Sequence, residues 1–331
     1  MKILAGTSKG VFSIEGDQFE QVLESRGVRD LVDIDGRVYA GTGAGVYFSE
    51  DHGKTWSERE LAEHEVWQVR GGPDGTVYAG TQPAGLFRLD TNDQWIEISS
   101  FTDTPESGEW CIPVEPKLPG RARALVIDAH DAKRLWVGVE VGGILRSDDG
   151  TESWKFGLPG GNPDLHMMCA HPDDSQVLFA STGYGRLDGV AEMIEGNAGV
   201  FRSDDSGATW KYVWQGITPR YSRPMCIDPR SPFSLTVGSA PTAFSNFREQ
   251  DGAQAMLFRS DDRGESWRSL CDSAHTPSRE NIHGLAPDPR HTGGVVVGTD
   301  MGEVWTVSDD AKWTMEADGL PPVLAVHPLA N

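Results

Sequence analysis

Two kinds of residue in this chain look able to do chemistry. The first are paired aspartates in short polar stretches: "SDDGTESW" from Ser147, "SDDSGATW" from Ser203 and "SDDRGESW" from Ser260. Two carboxylates beside a serine and a glycine could begin a calcium loop or supply half of an acid–base pair. The second kind is scattered: Arg29, Arg123 and Arg223; His166 and His283; Glu140 and Asp300; and Trp67, Gln82, Tyr184 and Tyr221. Gathered arginines hold carboxylates or phosphates through forked hydrogen bonds. A glutamate beside an arginine and a histidine could serve as general base or nucleophile. His166 and His283 with Glu140 or Asp300 would also suit a divalent ion, although no HxH or HExxH spacing supports one.

Repetition separates the two kinds. The aspartate box recurs as "SEDHGKTW" from Ser49, as a shortened "SDDAKW" from Ser308 and as a worn "LDTNDQW" from Leu89. Each box follows a short strand-like run such as "GVYF", "GILR" or "GVFR". Each such run follows another that ends in glycine plus a small residue, such as "VYAGT", "LWVGV" or "VVVGT". A third apolar run precedes these pairs and often ends in Asp-Pro or His-Pro, as in "MCIDPR" and "GLAPDPR". The units are roughly 40–50 residues long with four short strands each, which is the pattern of a propeller. The N-terminus adds a seventh pair, "ILAGT" then "GVFSI", with its box almost erased, and seven copies imply seven blades. The run "VLAVHPLAN" at the far end lacks a following strand, and "MKILAGT" at the start lacks a preceding one. The C-terminal strand therefore completes the N-terminal blade and closes the ring, which removes a free edge. The expectation is one all-β domain, a seven-bladed β-propeller over residues 1–331. Its approximate blades are 1–27 with 320–331, 28–64, 65–121, 122–165, 166–220, 221–280 and 281–319.

The box S-x-D-x-G-x-T-W resembles the Asp-box, or BNR, repeat of the sialidase superfamily. Over nearly its whole length the chain is similar to the seven-bladed relatives: bacterial sialidase-like and glycosyl hydrolase-like proteins, xyloglucanase propellers, photosystem II assembly factors and sortilin-like receptors. The resemblance implies that each box aspartate folds a hairpin turn between the third and fourth strands, and that the box tryptophan (Trp56, Trp154, Trp210, Trp267, Trp313) packs between sheets. The boxes are too short for a calcium loop ending in a bidentate glutamate. A catalytic pair is not needed seven times, so the boxes read as scaffold. By the same reasoning His130, His171 and His327 read as turn residues.

Bulk properties narrow the function. A net charge of −21 over 331 residues argues against nucleic acid and anionic membrane as partners, since both need a basic footprint. Lys2 is followed by no long apolar run, and the four cysteines show no CxxC spacing, so the expectation is a reduced, cytoplasmic protein.

If repetition is scaffold, the site lies where the blades differ. The starts of the inner strands carry Arg29, Trp67 with Gln68, Arg123, His166, Arg223 and His283, and the turns after the second strands carry Gln82, Glu140 and Asp300. Three long insertions, Thr102–Gly120, Tyr184–Ala198 and Pro241–Gln254, should overhang the same face. The catalytic candidates are Glu140, His166, His283 and Asp300. The substrate-binding candidates are Arg29, Trp67, Gln82, Arg123, Tyr184, Tyr221 and Arg223. Three arginines are reminiscent of the carboxylate clamp of sialidases, but those have six blades, which argues against sialidase activity itself. The expected activity is a hydrolase or lyase acting on an anionic small molecule or a sugar, with no cofactor beyond a possible divalent metal at His166, His283 and Glu140. The competing expectation is a protein-binding or assembly scaffold, with Phe244, Phe247, Met193 and Ile194 as contact residues.

Overall fold

The computed structural model describes residues 1–183, 194–241 and 250–329. Seven antiparallel sheets surround an axis, and in six of them the strand nearest the axis comes first in the chain. Blade 2 is Val28–Ile34, Arg37–Thr42 and Gly45–Ser49; blade 3 is Glu65–Gly71, Val77–Gln82, Leu86–Leu89 and Trp95–Glu97. Blade 4 begins with Arg121–Ile127 and Leu135–Glu140, blade 5 with Leu165–His171 and Asp174–Thr182. Blade 6 begins with Tyr221–Ile227 and Leu235–Ala240, blade 7 with Ile282–Pro287 and Val295–Thr299. Blade 1 is the composite one. Its inner strand Val323–Leu329 pairs with Lys2–Thr7, placing Lys2 opposite Leu329 and Ala5 opposite Val326, so the ring closes as expected. Blade 2 has three regular strands; the place of a fourth is taken by an irregular segment in which Glu60 and Val46 exchange backbone hydrogen bonds.

The recurrent glycine of the second strand has a packing cause. A Cβ on Gly80 would collide with the backbone oxygen of Ala122, one on Gly41 with that of Val66, and one on Gly298 with the Val323 side chain. In each case the obstacle is the inner strand of the next blade. Glycine there lets successive blades approach closely, and apolar side chains fill the space between them, as around Trp136, Leu165 and Met168 between blades 4 and 5. Blade 5 carries Ser181 at this position, and its hydroxyl donates to the Arg223 carbonyl of blade 6 (3.0 Å).

The boxes are turn-builders. Ser260 Oγ donates to Asp262 (2.8 Å) and accepts from the Gly264 amide (2.7 Å); Asp262 in turn accepts from the Ser266 amide (2.9 Å). Asp51, Asp149 and Asp205 repeat the arrangement. Each turn contains two consecutive left-handed residues, such as Arg263 (φ 60°) and Gly264 (φ 85°), which is why glycine recurs there. The tryptophans seat on the preceding blade: Trp267 lies 4.6 Å from Trp214, and its indole N–H donates to Val213 O (2.7 Å). One expectation is corrected: His327 is not in a turn but within the strand Val323–Leu329, opposite Leu4, because it falls three residues after the bulge of its strand at Leu324, whereas His171 falls five after the bulge at His166.

These roles separate stability from function. Gly80→Ala overpacks the blade 3–blade 4 contact and is expected to cost about 1–3 kcal/mol. Asp262→Ala is expected to lower the melting temperature by a few degrees. Thermal melts check both, and Asp262→Ala should leave ligand binding on the opposite face unaltered.

Candidate functional site

Every one of the seven inner strands has a β-bulge near its start. The register slips around Arg29, Trp67, Arg123, His166, His283 and Leu324, while in blade 6 Arg223 and Pro224 together oppose Gly238. A bulge places two residues against one and re-aims a side chain. These are the strand-start residues that stood out in the sequence, together with Leu324. They form a collar at one end of an axial funnel of about 630 Å³ that is lined by all seven inner strands. The collar lies at the strand starts, and the box turns follow the third strands, which run parallel to the inner ones. The two features are therefore on opposite faces.

One wall of the collar is unusually cationic. The indole of Trp67, buried apart from 9% of its surface, has three guanidinium carbons over its ring: Arg29 at 4.0 Å, Arg121 at 4.4 Å and Arg123 at 5.0 Å. The Trp67 indole N–H has no hydrogen-bond partner. Arg29 pairs with Glu65 (3.0 Å), whereas Arg121 (3.2 Å) and Arg123 (2.6 Å) share the one carboxylate of Glu140. Burial pulls Arg29 below the usual guanidinium range; Glu65 offsets this and the nearby charges of Arg121 and Arg123 add to it. Arg121 is lowered too, by burial first, with Glu140 opposing and Arg123 adding. Cations so close that they perturb one another define a place where an anion is favoured.

Glu140 and His166 are placed differently from the expectation. Burial alone would raise the Glu140 carboxyl, but Arg123, His166 and Arg121 override it and hold it well below the usual carboxylate range. A carboxylate fixed by two guanidiniums is a poor base and a poor nucleophile, so Glu140 is a positioning residue for Arg121 and Arg123. His166 has no exposed surface. Its Nδ1 faces the Ser222 carbonyl (2.6 Å) and so carries a proton; its Nε2 lies 3.2 Å from the Tyr221 hydroxyl, 3.3 Å from Asp164 and 3.9 Å from Glu140. Burial pushes the Tyr221 phenol above its ordinary value, so it keeps its proton. His166 thus stands between Glu140 on one side and Tyr221 and Asp164 on the other.

Other candidates fall away from the funnel. Asp300 accepts from the Asn281 amide (2.9 Å) and returns its own amide to Asn281 O, capping a turn outside the funnel lining. Gln82 supports the site indirectly: its amide oxygen accepts from Arg121 Nε (3.2 Å), and its nitrogen donates to Pro119 O in the insertion 102–120 (2.9 Å). Tyr184 lies outside the described residues, as do Met193, Phe244 and Phe247. Ile194 is exposed. Arg223 and His283 both line the funnel. Arg121 and Asp164 were missed; each sits two residues before a collar member, Arg123 and His166, and that alternation was the available signal.

The metal candidates change as well. Among the described residues, Glu140, Asp164 and His166 place ligand atoms within 4.8 Å of one another, and His283 is not part of this group. Arg123 and Arg121 already occupy the Glu140 carboxylate, so a divalent cation would sit against two guanidiniums. The donor set fits an ion pair network better than a metal.

Comparison with known proteins agrees with this architecture. The chain superposes on a GH74 enzyme from Niastella koreensis with a TM-score of 0.65 at 15% identity, covering 94% of this chain and 46% of that one. It has the seven-bladed propeller fold. A second structural neighbour of the propeller is YCF48 bound to D1 peptide, with a TM-score of 0.55 at 16% identity, covering 91% of this chain and 86% of that one. In sequence, the propeller is 28% identical over 254 residues to a xyloglucanase of Paenibacillus sp and 24% identical over 259 residues to one of Hypocrea jecorina. These alignments cover 76% and 77% of the propeller, but only 22% and 26% of the relatives' own length. No family model matches it.

The buried ion pairs generate a stability prediction. Glu140→Gln leaves two guanidiniums without their carboxylate and is expected to cost roughly 3–5 kcal/mol. The folded-state carboxyl is depressed, so its contribution is present above the unfolded glutamate pKa of about 4.3 and is lost as pH falls below it. Denaturant titrations should show the wild-type advantage at pH 7 shrinking from about pH 4 downward.

Proposed function

We propose that the propeller is a glycosidase-like enzyme that takes a carboxylate-bearing sugar at the collar of the axial funnel. One observation carries the reading: the Trp67 ring lies under three guanidiniums, two of which share a single carboxylate. Guanidiniums gathered around one buried indole at the mouth of the funnel suit a ligand with an anionic substituent. Arg223, on the far side of the collar, also lines the funnel, with its guanidinium 5.2 Å from the Tyr221 ring. The xyloglucanase relatives support a sugar as the ligand class; the arginines support the negative charge on it.

A second reading has one observation in its favour. YCF48, a structural neighbour over most of both chains, is described as bound to a D1 peptide. A peptide with a free C-terminal carboxylate would use the same guanidiniums.

Calorimetry and Trp67 fluorescence test the proposal against both neutral sugars and peptides. Uronate-containing oligosaccharides are expected to bind more tightly than neutral xyloglucan oligosaccharides, with affinity falling as salt rises. Arg223→Gln should weaken the uronate by roughly 10–100-fold, the value of a lost charge-assisted hydrogen bond. Equal affinity for neutral and anionic sugars would overturn the reading.

A further inference from the structure

Three guanidiniums surround Trp67, but they are not held alike. Arg121 and Arg123 share the carboxylate of Glu140, whose side chain is only 10% exposed. Arg29, on the neighbouring bulge of blade 2, is held by one ion pair to Glu65; there the arginine side chain is 28% exposed and the glutamate 34%. Stripping a buried carboxylate of its guanidiniums leaves it uncompensated, a loss of roughly a hundredfold or more in equilibrium terms. When a half-exposed pair opens, water takes over both charges, a loss of about fivefold at most. Arg29 is therefore the guanidinium of this wall that can exchange its partner.

The arrangement around Arg29 also leaves hydrogen bonds unmade. Arg29 Nε and Trp67 Nε1 are both closed to solvent, and neither has a hydrogen-bond partner. The two side chains cover each other: the Arg29 guanidinium carbon stands 4.0 Å from the centre of the Trp67 ring. Buried donors without acceptors are costly and uncommon. Two of them in contact, on residues that line the funnel, mark a state that an incoming acceptor improves. Arg121 and Arg123 add repulsion, since their charges disfavour the Arg29 cation where it stands.

We propose that Arg29 is an exchangeable clamp: it covers Trp67 and pairs with Glu65 in the free chain, and it leaves both to grip the carboxylate of an anionic sugar. This rests on the reading of the funnel as a site for such a sugar. As Arg29 turns to the ligand, its Nε–H and one terminal N–H donate to the two carboxylate oxygens. Glu65 is left to water. The ring face that Arg29 covered becomes an apolar platform for the sugar, and the indole N–H is freed to donate to a sugar oxygen. A neutral sugar has nothing to draw Arg29 away, so it meets a covered ring. Charge selectivity then comes from uncovering the ring as well as from attraction.

The test uses the full chain with a glucuronate-containing oligosaccharide and its carboxyl-reduced counterpart. Affinity is read by calorimetry, and the indole N–H resonance of Trp67, identified by its loss in Trp67→Phe, is followed by NMR. The uronate is expected to shift that resonance, and the reduced sugar to shift it far less. Arg29→Gln should weaken the uronate by about 10–100-fold while the reduced sugar binds no worse. Glu65→Gln should tighten both sugars by about 2–5-fold and move the resonance of the free chain part of the way to its bound position, because the covered state loses its latch. Removing the Glu65 charge by itself would favour the anion alone, so the reduced sugar separates the two effects. If Arg29→Gln melts early, the Glu65→Gln affinities and the resonance carry the test. Unchanged uronate affinity in Arg29→Gln overturns the clamp and leaves the anionic-sugar site standing. So does Glu65→Gln if it weakens the uronate or tightens the uronate alone. Absence of uronate binding would overturn both.

Discussion

An edge strand with nothing to pair with faces the axis in every blade. Seven such edges converge, and each exposes amide and carbonyl groups that must be satisfied by water, side chain or ligand. The chain meets part of this demand with its own side chains. Asp30 of blade 2 accepts the Val69 amide of blade 3 (2.8 Å), and Gln68 of blade 3 accepts the Leu125 amide of blade 4 (2.7 Å). The rest of the inner edge opens to the funnel. The bulges belong to the same constraint: they interrupt regular pairing where it begins and turn one side chain per blade toward the axis.

The architecture was legible because it is repeated. One worn box such as "LDTNDQW" means little alone, but its position between "GLFR" and the next apolar run identifies it by comparison with its siblings. Ring closure was legible for the same reason, since "VLAVHPLAN" and "MKILAGT" are complementary fragments of one unit. The positions of the collar residues were legible too, as departures from the repeat.

Their partners were not. Glu140 read as a base beside an arginine and a histidine, yet Arg121 and Arg123, residues of the adjacent strand paired with its own, both sit on its carboxylate. His166 read as a catalytic candidate at a strand start, but the close approach of Tyr221 and Gly183 buries it completely. Asp300 occupies the turn equivalent to that of Glu140, and the difference lies in Asn281, whose amide it caps. Register slips of one residue decide which side chain reaches the axis, and no pattern in a single strand reveals a slip. Arg121 and Asp164 show the cost: both belong to the network, and both look like ordinary residues of a strand start.

The even spacing of the bulges has a further meaning. Read around the axis from blade 2, the collar spells Arg29, Trp67, Arg123, His166, Arg223, His283, Leu324. Each letter is held by a blade whose box, glycine and interblade packing do not depend on which letter it is. The molecule thus behaves as a fixed seven-place frame around a word that can be rewritten one character at a time. On the proposed reading of the funnel, that word is where ligand preference is written, and the rest of the chain is its grammar.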